Sequence, residues 1–235
     1  MNEDAIFQRT QALLGEKAIE KLKSANILIL GVGGVGGYTA EQLCRAGIGN
    51  MLLFDGDRVD PTNLNRQIAA LCSSVGRFKA EVLAERFRDI NPAGSFIPEV
   101  RFLKAGESQE LLSRKFDLVI DAIDDVPAKV DFLKTAVELH IPVVSSMGAG
   151  GKRDLSQIRC ADISKTFGDP LARKVRSELR VLGVKHGIQC VFSPEERRQT
   201  ADAHIIGTVS YLPAVFGCFA AAAALELLLP ESYEK

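Results

Sequence analysis

Apolar and polar positions change period repeatedly along the chain. Over residues 5–24, Ile6, Leu13, Leu14, Ile19 and Leu22 recur at helical spacing and predict an amphipathic N-terminal helix. From Ile27 onward, short apolar runs alternate with helix-like stretches. Strands are expected over 27–30, 51–54, 95–101, 118–121 and 142–146. Helices are expected over 37–46, 79–89 and 128–140, with a short one at 107–112. This alternation predicts an α/β fold, a Rossmann-like, mostly parallel sheet with helices on both faces. In such sheets ligands bind beyond the C-terminal strand ends. The positions to watch are therefore Gly31, Asp55, 121–125 and 145–151.

The C-terminal part reads differently. A helix is expected over 170–180. Residues 205–225 hold no charge and are long enough to span a bilayer. Pro213 sits near the middle of that stretch, however, and Gly207, Gly217 and the alanines at 220–224 dilute its hydrophobicity. A strand over 208–212 running into a buried, Ala-rich helix over 214–229 is the expected arrangement, and a membrane association is not. The glycines at 148–151 suggest a boundary. Residues 1–150 would form the core with its helical arm, and 151–235 a mixed C-terminal extension of the same domain.

Composition narrows the class without choosing a function. The 235 residues are 46% hydrophobic and 25% charged, which suits one packed α/β domain. A net charge of -1 supplies no global field toward nucleic acid or membrane. Residues 152–187 nevertheless carry nine Lys/Arg against four Asp/Glu, either a solvated helix face or a patch for an anionic partner such as RNA. Cys44, Cys72, Cys160, Cys190 and Cys218 are scattered and form no C-x-x-C pair. That argues against a disulfide framework and a cysteine zinc site, and fits a reducing, cytoplasmic compartment. The polar, acidic residues 1–9 do not read as a secretory signal.

The chemistry starts at Gly31-Val-Gly-Gly-Val-Gly36, between the first strand and a helix. Glycines there let the backbone approach an anion, and the helix N-terminus attracts it. The turn alone leaves NAD, FAD and ATP open. Asp55, ending the second strand, can accept hydrogen bonds from ribose hydroxyls, which suits NAD or ATP. The following residues separate the two. Asp57, Thr62, Asn63, Arg66, Gln67 and then Lys79 gather phosphate-binding side chains that hydride transfer does not need. An adenylating enzyme must hold a triphosphate and neutralise charge as a carboxylate attacks the α-phosphorus.

These motifs, with Ile123-Asp-Asp125, resemble the ubiquitin-activating-enzyme-like adenylyltransferases, the ThiF/MoeB/HesA group, over about residues 5–150. The resemblance implies that ATP and Mg²⁺ bind among Gly31, Gly33, Gly34, Gly36, Asp55, Asp57, Thr62, Asn63, Arg66, Gln67, Lys79, Asp124 and Asp125. Gly34 would lie against the nucleotide, Asp55 would bind ribose, and Thr62 to Arg66 and Lys79 would hold phosphates. Asp124 would coordinate the metal. Asp125 stands where many relatives have Asn, and a helix-capping role for Asp124 ahead of Pro127 is the competing reading. Arg9, in Arg9-Thr-Gln-Ala-Leu-Leu-Gly15, matches the family's N-terminal arginine that reaches the neighbouring subunit's site. The implied catalytic set is Arg9, Asn63, Arg66, Lys79 and Asp124, in a homodimer.

Within the family, further pieces resemble the tRNA threonylcarbamoyladenosine dehydratase subgroup. They include Arg88-Asp-Ile-Asn-Pro92, Gly148-Ala-Gly-Gly151, Asp169-Pro-Leu-Ala172 and Cys190-Val-Phe-Ser193. The last two are expected outside the ATP site. The resemblance implies ATP-dependent ring closure of the threonylcarbamoyl group on tRNA adenosine, with Lys152, Arg153, Arg173, Lys174 and Arg176 facing the tRNA. A sulfur-transfer or cysteine-desulfurase partner is a further expectation. Ala201-Asp-Ala-His204 stands where larger members carry a longer loop with a cysteine, which leaves Cys190 as the candidate for any covalent step. Activation of a sulfur-carrier protein's C-terminal Gly-Gly, an NAD-dependent oxidoreductase and a catalytically idle nucleotide-binding scaffold remain alternatives.

Overall fold

The computed structural model of the chain describes residues 3–198 and 206–233. An N-terminal arm of α1 (Glu3–Ile6), α2 (Gln8–Leu14) and α3 (Glu16–Ser24) leads into β1 (Asn26–Leu30), α4 (Gly36–Ala46) and β2 (Asn50–Phe54). Next come α5 (Lys79–Ile90), β3 (Ser95–Glu99), α6 (Ser108–Leu112), β4 (Leu118–Asp121), α7 (Val126–Glu138) and β5 (Val143–Ser146). The chain continues through β6 (Arg159–Asp162), α8 (Pro170–Val181), β7 (Gln189–Phe192), α9 (Tyr211–Leu228) and α10 (Pro230–Tyr233).

The strands form one sheet in the order β3-β2-β1-β4-β5-β7-β6. All neighbours are parallel except β6 and β7, which run antiparallel. The unbroken apolar runs reflect two covered faces. Ile27 and Ile29 of β1 join one buried cluster, whereas Leu28 and Leu30 join the other. Strand order reverses between β1 and β4, and the crevice beyond their C-terminal ends is the switch point where ligands enter such sheets.

Three departures from the sequence reading have local causes. The arm is three helices and not one. Gly15 takes a φ of 89°, a left-handed conformation suited to glycine, and turns α2 into α3. Phe7 instead plugs into the core at the far end of α4, beside Gly47. The expected strand over 208–212 is not formed. Its backbone groups bond to loops: Asn65 Nδ2 donates to the Thr208 carbonyl and the Gly151 N–H to that of Gly207. Helix α9 already begins at Tyr211, with Pro213 in its first turn, where a missing N–H forfeits no helical bond. Finally, β6 and β7 extend the sheet where no strand was expected. Each has four residues, too few to display a period.

Helix α9 is the one helix among the described residues long and apolar enough to cross a membrane, and half of it is buried inside the fold. It packs along α4, where Gly217 permits the approach: a Cβ there would lie 2.7 Å from Tyr38 Cβ and 2.8 Å from the Val35 carbonyl oxygen. Buried Leu212, Phe216 and Ala220 supply the packing.

Candidate active site

A cleft of about 1100 Å³ opens at the switch point. Its floor is the turn from β1 into α4. Gly31 adopts a φ of 84°, and a Cβ there would lie 2.9 Å from the Ala122 carbonyl oxygen. Gly36 is closer still, with a Cβ position 1.8 Å from the Gly31 oxygen, so it packs the turn and does not line the cleft. Gly33 and Gly34 do line it. The N–H groups of Gly33, Gly34 and Val35 donate to no described group, which leaves them available to an anion in the cleft beside the α4 N-terminus.

Asp55 is oriented by two backbone bonds. Its Oδ2 accepts the Val32 N–H and its Oδ1 that of Asp57, both at 2.8 Å. Each oxygen retains a lone pair for a ribose hydroxyl. Burial raises this carboxyl above the ordinary Asp range, outweighing both N–H bonds and the nearby Lys79 charge. A ligand hydroxyl bonded to both oxygens favours the ionised form. Nucleotide affinity is therefore expected to weaken as pH falls, from a higher pH than an ordinary Asp would give. Calorimetric titration of ATP against wild type and Asp55→Asn across pH 5–8 tests this. The wild-type curve should fall on acidification relative to the variant; parallel curves would refute the assignment.

The phosphate-binding candidates converge on the same cleft. Lys79 is almost fully buried and pairs with Asp57 at 2.7 Å, and its N–H also donates to the Asp57 carbonyl. Arg66 is half-buried, its Nη1 held by the Thr62 carbonyl and Asn65 Oδ1. Asn63 closes a capping box with Asp60 around the 3₁₀ turn Pro61–Asn63. Thr62 does not line the cleft, because its hydroxyl is turned to Asp60 Oδ1 at 2.6 Å. Gln67 Oε1 is buried without a hydrogen-bond partner and lies in the cleft wall, a vacant acceptor position of the kind a bound polar ligand satisfies.

Asp124 and Asp125 both border the cleft. The helix cap belongs to Asp125, whose Oδ1 accepts the Ala128 N–H at 2.9 Å. Asp124 is exposed and makes no hydrogen bond with described residues, so its carboxylate is available to a cation. No cluster of three metal-ligating side chains occurs among the described residues. A single carboxylate beside a triphosphate suits Mg²⁺, which keeps water and phosphate oxygens as its other ligands.

Of the other described candidates, only Lys152 borders the cleft. Arg9 is exposed on α2 and outside the cleft. Lys152 is buried in an ion pair with Asp169, so it cannot meet an RNA phosphate. Arg176 is bonded to Thr166, whereas Arg153, Arg173 and Lys174 are exposed. Cys190 is fully buried, and burial pushes its thiol well above the ordinary range. That rules it out as a ready nucleophile. The segment 201–204 lies outside the described residues. The sequence reading missed the wall formed by Arg101, Phe102 and Leu103, which no glycine or charge spacing marks. Asp169-Pro-Leu, expected outside the ATP site, lies at the α8 end of the same cleft.

Comparison with known proteins agrees with this geometry. The ThiF family matches residues 7–235. The tRNA threonylcarbamoyladenosine dehydratase of Bacillus subtilis is 42% identical over 189 residues, spanning 80% of this chain and 74% of that protein. The crystal structure of Escherichia coli TcdA, a tRNA N6-threonylcarbamoyladenosine dehydratase in complex with ATP, superposes with a TM-score of 0.92 and 39% identity. That match covers 97% of this chain and 95% of the other. The AMP complex of the same enzyme gives 0.91 and 38%, covering 98% and 97%.

Proposed function

The chain belongs to the ThiF family, and on that premise we propose that it is an ATP-dependent tRNA threonylcarbamoyladenosine dehydratase. The observation that carries this reading is the convergence of the glycine turn, Asp55, Arg66, Lys79 and Asp124 on one cleft. The cleft also extends past β5 to the α8 N-terminus, beyond the glycine turn. ATP occupies the part over the glycine turn, its ribose on Asp55 and its phosphates near Gly33, Gly34, Arg66 and Lys79. The threonylcarbamoyl carboxylate of tRNA adenosine approaches through the remainder.

The carboxylate attacks the α-phosphorus and pyrophosphate departs. The activated carboxyl is then closed intramolecularly, AMP leaves, and the net change is loss of one water. Arg66 supplies a planar fork and Lys79 a point charge where the phosphates gain negative charge. Asp124 is the residue that would hold Mg²⁺, which supplies further neutralisation of that charge. Holding the acceptor carboxylate against the α-phosphate makes the first step effectively unimolecular, and positioning the activated group favours the intramolecular second step.

Arg9 joins the site in trans. Phe7 anchors the arm beside Gly47, after the last turn of α4, whereas the cleft lies at its first turn. Eleven helical residues separate the two ends, roughly 16 Å. Arg9 is thus remote from its own cleft and free to serve that of a second protomer in a homodimer. The exposed Arg153, Arg173 and Lys174 would contact tRNA phosphates, and the scattered, unpaired cysteines suit the cytoplasm.

Nucleoside analysis of threonylcarbamoyladenosine-containing tRNA after incubation with ATP tests the reading. The expected product is a nucleoside lighter by one water, with AMP and pyrophosphate released. Pyrophosphate exchange supported only by a carrier protein ending in Gly-Gly would reject it. In the same assay, mixing Arg9→Ala with Asp124→Ala protomers should restore part of the activity that each lacks alone.

A further inference from the structure

Three sequence pieces play no part in the glycine turn or the phosphate-binding loop: Gly148-Ala-Gly-Gly151, Asp169-Pro-Leu-Ala172 and Cys190-Val-Phe-Ser193. They meet at one ammonium group. Lys152 Nζ donates to Asp169 Oδ2 at 2.5 Å, to the Ser193 carbonyl at 2.7 Å and to the Gly148 carbonyl at 2.8 Å. Its side chain is 2% exposed and that of Asp169 is 0%. Asp169 Oδ1 meanwhile accepts the Ala172 N–H and caps α8. One side chain thus ties the turn after β5, the residue after β7 and the first turn of α8.

A buried ion pair is a poor source of stability, and apolar residues of similar volume often replace one without loss. What an apolar side chain cannot do is hold two carbonyls and a carboxylate in fixed directions. The segments tied here, Gly148 to Gly150 and Asp169 to Leu171, both border the cleft.

We propose that Lys152 is a positioning residue for the acceptor substrate, shaping the part of the cleft that holds the carboxylate to be activated. It acts on the acceptor and leaves ATP binding alone. The inference rests on the dehydratase reading given above.

Lys152→Met and the double variant Lys152→Met/Asp169→Asn separate positioning from stability. Each full-length protein is assayed for ATP Kd, Tm, and kcat and KM with threonylcarbamoyladenosine-containing tRNA. Lys152→Met should lower Tm, because it leaves a buried carboxylate unpaired, and the double variant should recover Tm. In both, kcat/KM for tRNA should fall roughly 10–100-fold while ATP Kd stays within about twofold. Wild-type kcat/KM in the double variant would overturn the inference, as would equal losses in ATP binding and tRNA turnover. A wild-type protein that forms no product overturns the dehydratase reading and this inference together.

Discussion

Asp124→Ala is expected to lower ATP-dependent turnover by roughly 10²–10³-fold, the usual loss when a group placed against developing charge is removed. The fold should be unaffected, because the two neighbouring carboxylates divide their work. Asp125 caps α7, and Asp124 bonds to nothing described around it. Removing Asp124 therefore breaks no hydrogen bond among the described residues. Arg66→Ala should produce a loss of similar size. Among the described residues its guanidinium bonds to the Thr62 carbonyl and Asn65, both on an exposed loop, so Tm should again change little. Steady-state kinetics with ATP and modified tRNA, alongside thermal melts, provide the check. Full activity in either variant would remove the residue from the mechanism. Asp125→Ala is the matched control: it forfeits a helix cap, about 1 kcal/mol of stability, with a smaller kinetic effect.

The largest stability effect is expected one layer beneath the site. Lys129 and Asp121 are both fully buried and paired at 2.7 Å. Lys129 Nζ also donates to the carbonyls of Ile123 and Ser146 at 2.9 Å, and Ser145 Oγ donates to Asp121 Oδ2 at 2.6 Å. The pair binds the end of β4, the loop carrying Asp124 and the end of β5 to α7. Lys129→Met would leave the buried Asp121 carboxylate without its countercharge, held by the Ser145 hydroxyl on Oδ2 and the Ile123 N–H on Oδ1, and would take a donor from two carbonyls. Breaking one side of such a pair costs about 3–5 kcal/mol. For a chain of this size that corresponds to a Tm lower by roughly 6–20 °C. Urea denaturation and calorimetry measure it directly. A change below about 1 kcal/mol would mean that the site relaxes or admits water, and that the network does not hold the loop. Unlike Asp124→Ala, this variant should lose stability first and activity as a consequence.

Much of the site was legible before the structure. Gly31, Gly33, Gly34, Asp55, Arg66, Lys79 and Asp124 all border the cleft, because each lies at a strand end, in a turn or at a helix start whose place follows from the βαβ order. Thr62 and Gly36 were assigned to the nucleotide as well, but one is turned to Asp60 and the other packed against Gly31. Sequence spacing ranks such residues alike; side-chain direction separates them. Lys152 makes the same point more sharply. In a segment rich in Lys and Arg it looks like a surface cation, and only its three buried acceptors reveal otherwise.

The sequence by itself determined the alternation of strands and helices, the glycine turn and the order of phosphate-binding side chains. These depend on local period, backbone freedom and chain order, which neighbouring residues specify. Only the tertiary structure decided that Asp125 caps while Asp124 bonds to no described residue, that Lys152 and Lys129 are internal ties, and that no strand forms over 208–212. Those outcomes turn on burial and on partners such as Lys152 with Ser193, or Asn65 with Thr208, that meet only once the sheet has closed. A charge is stable inside a protein only where such partners reach it, and no local pattern records which ones will.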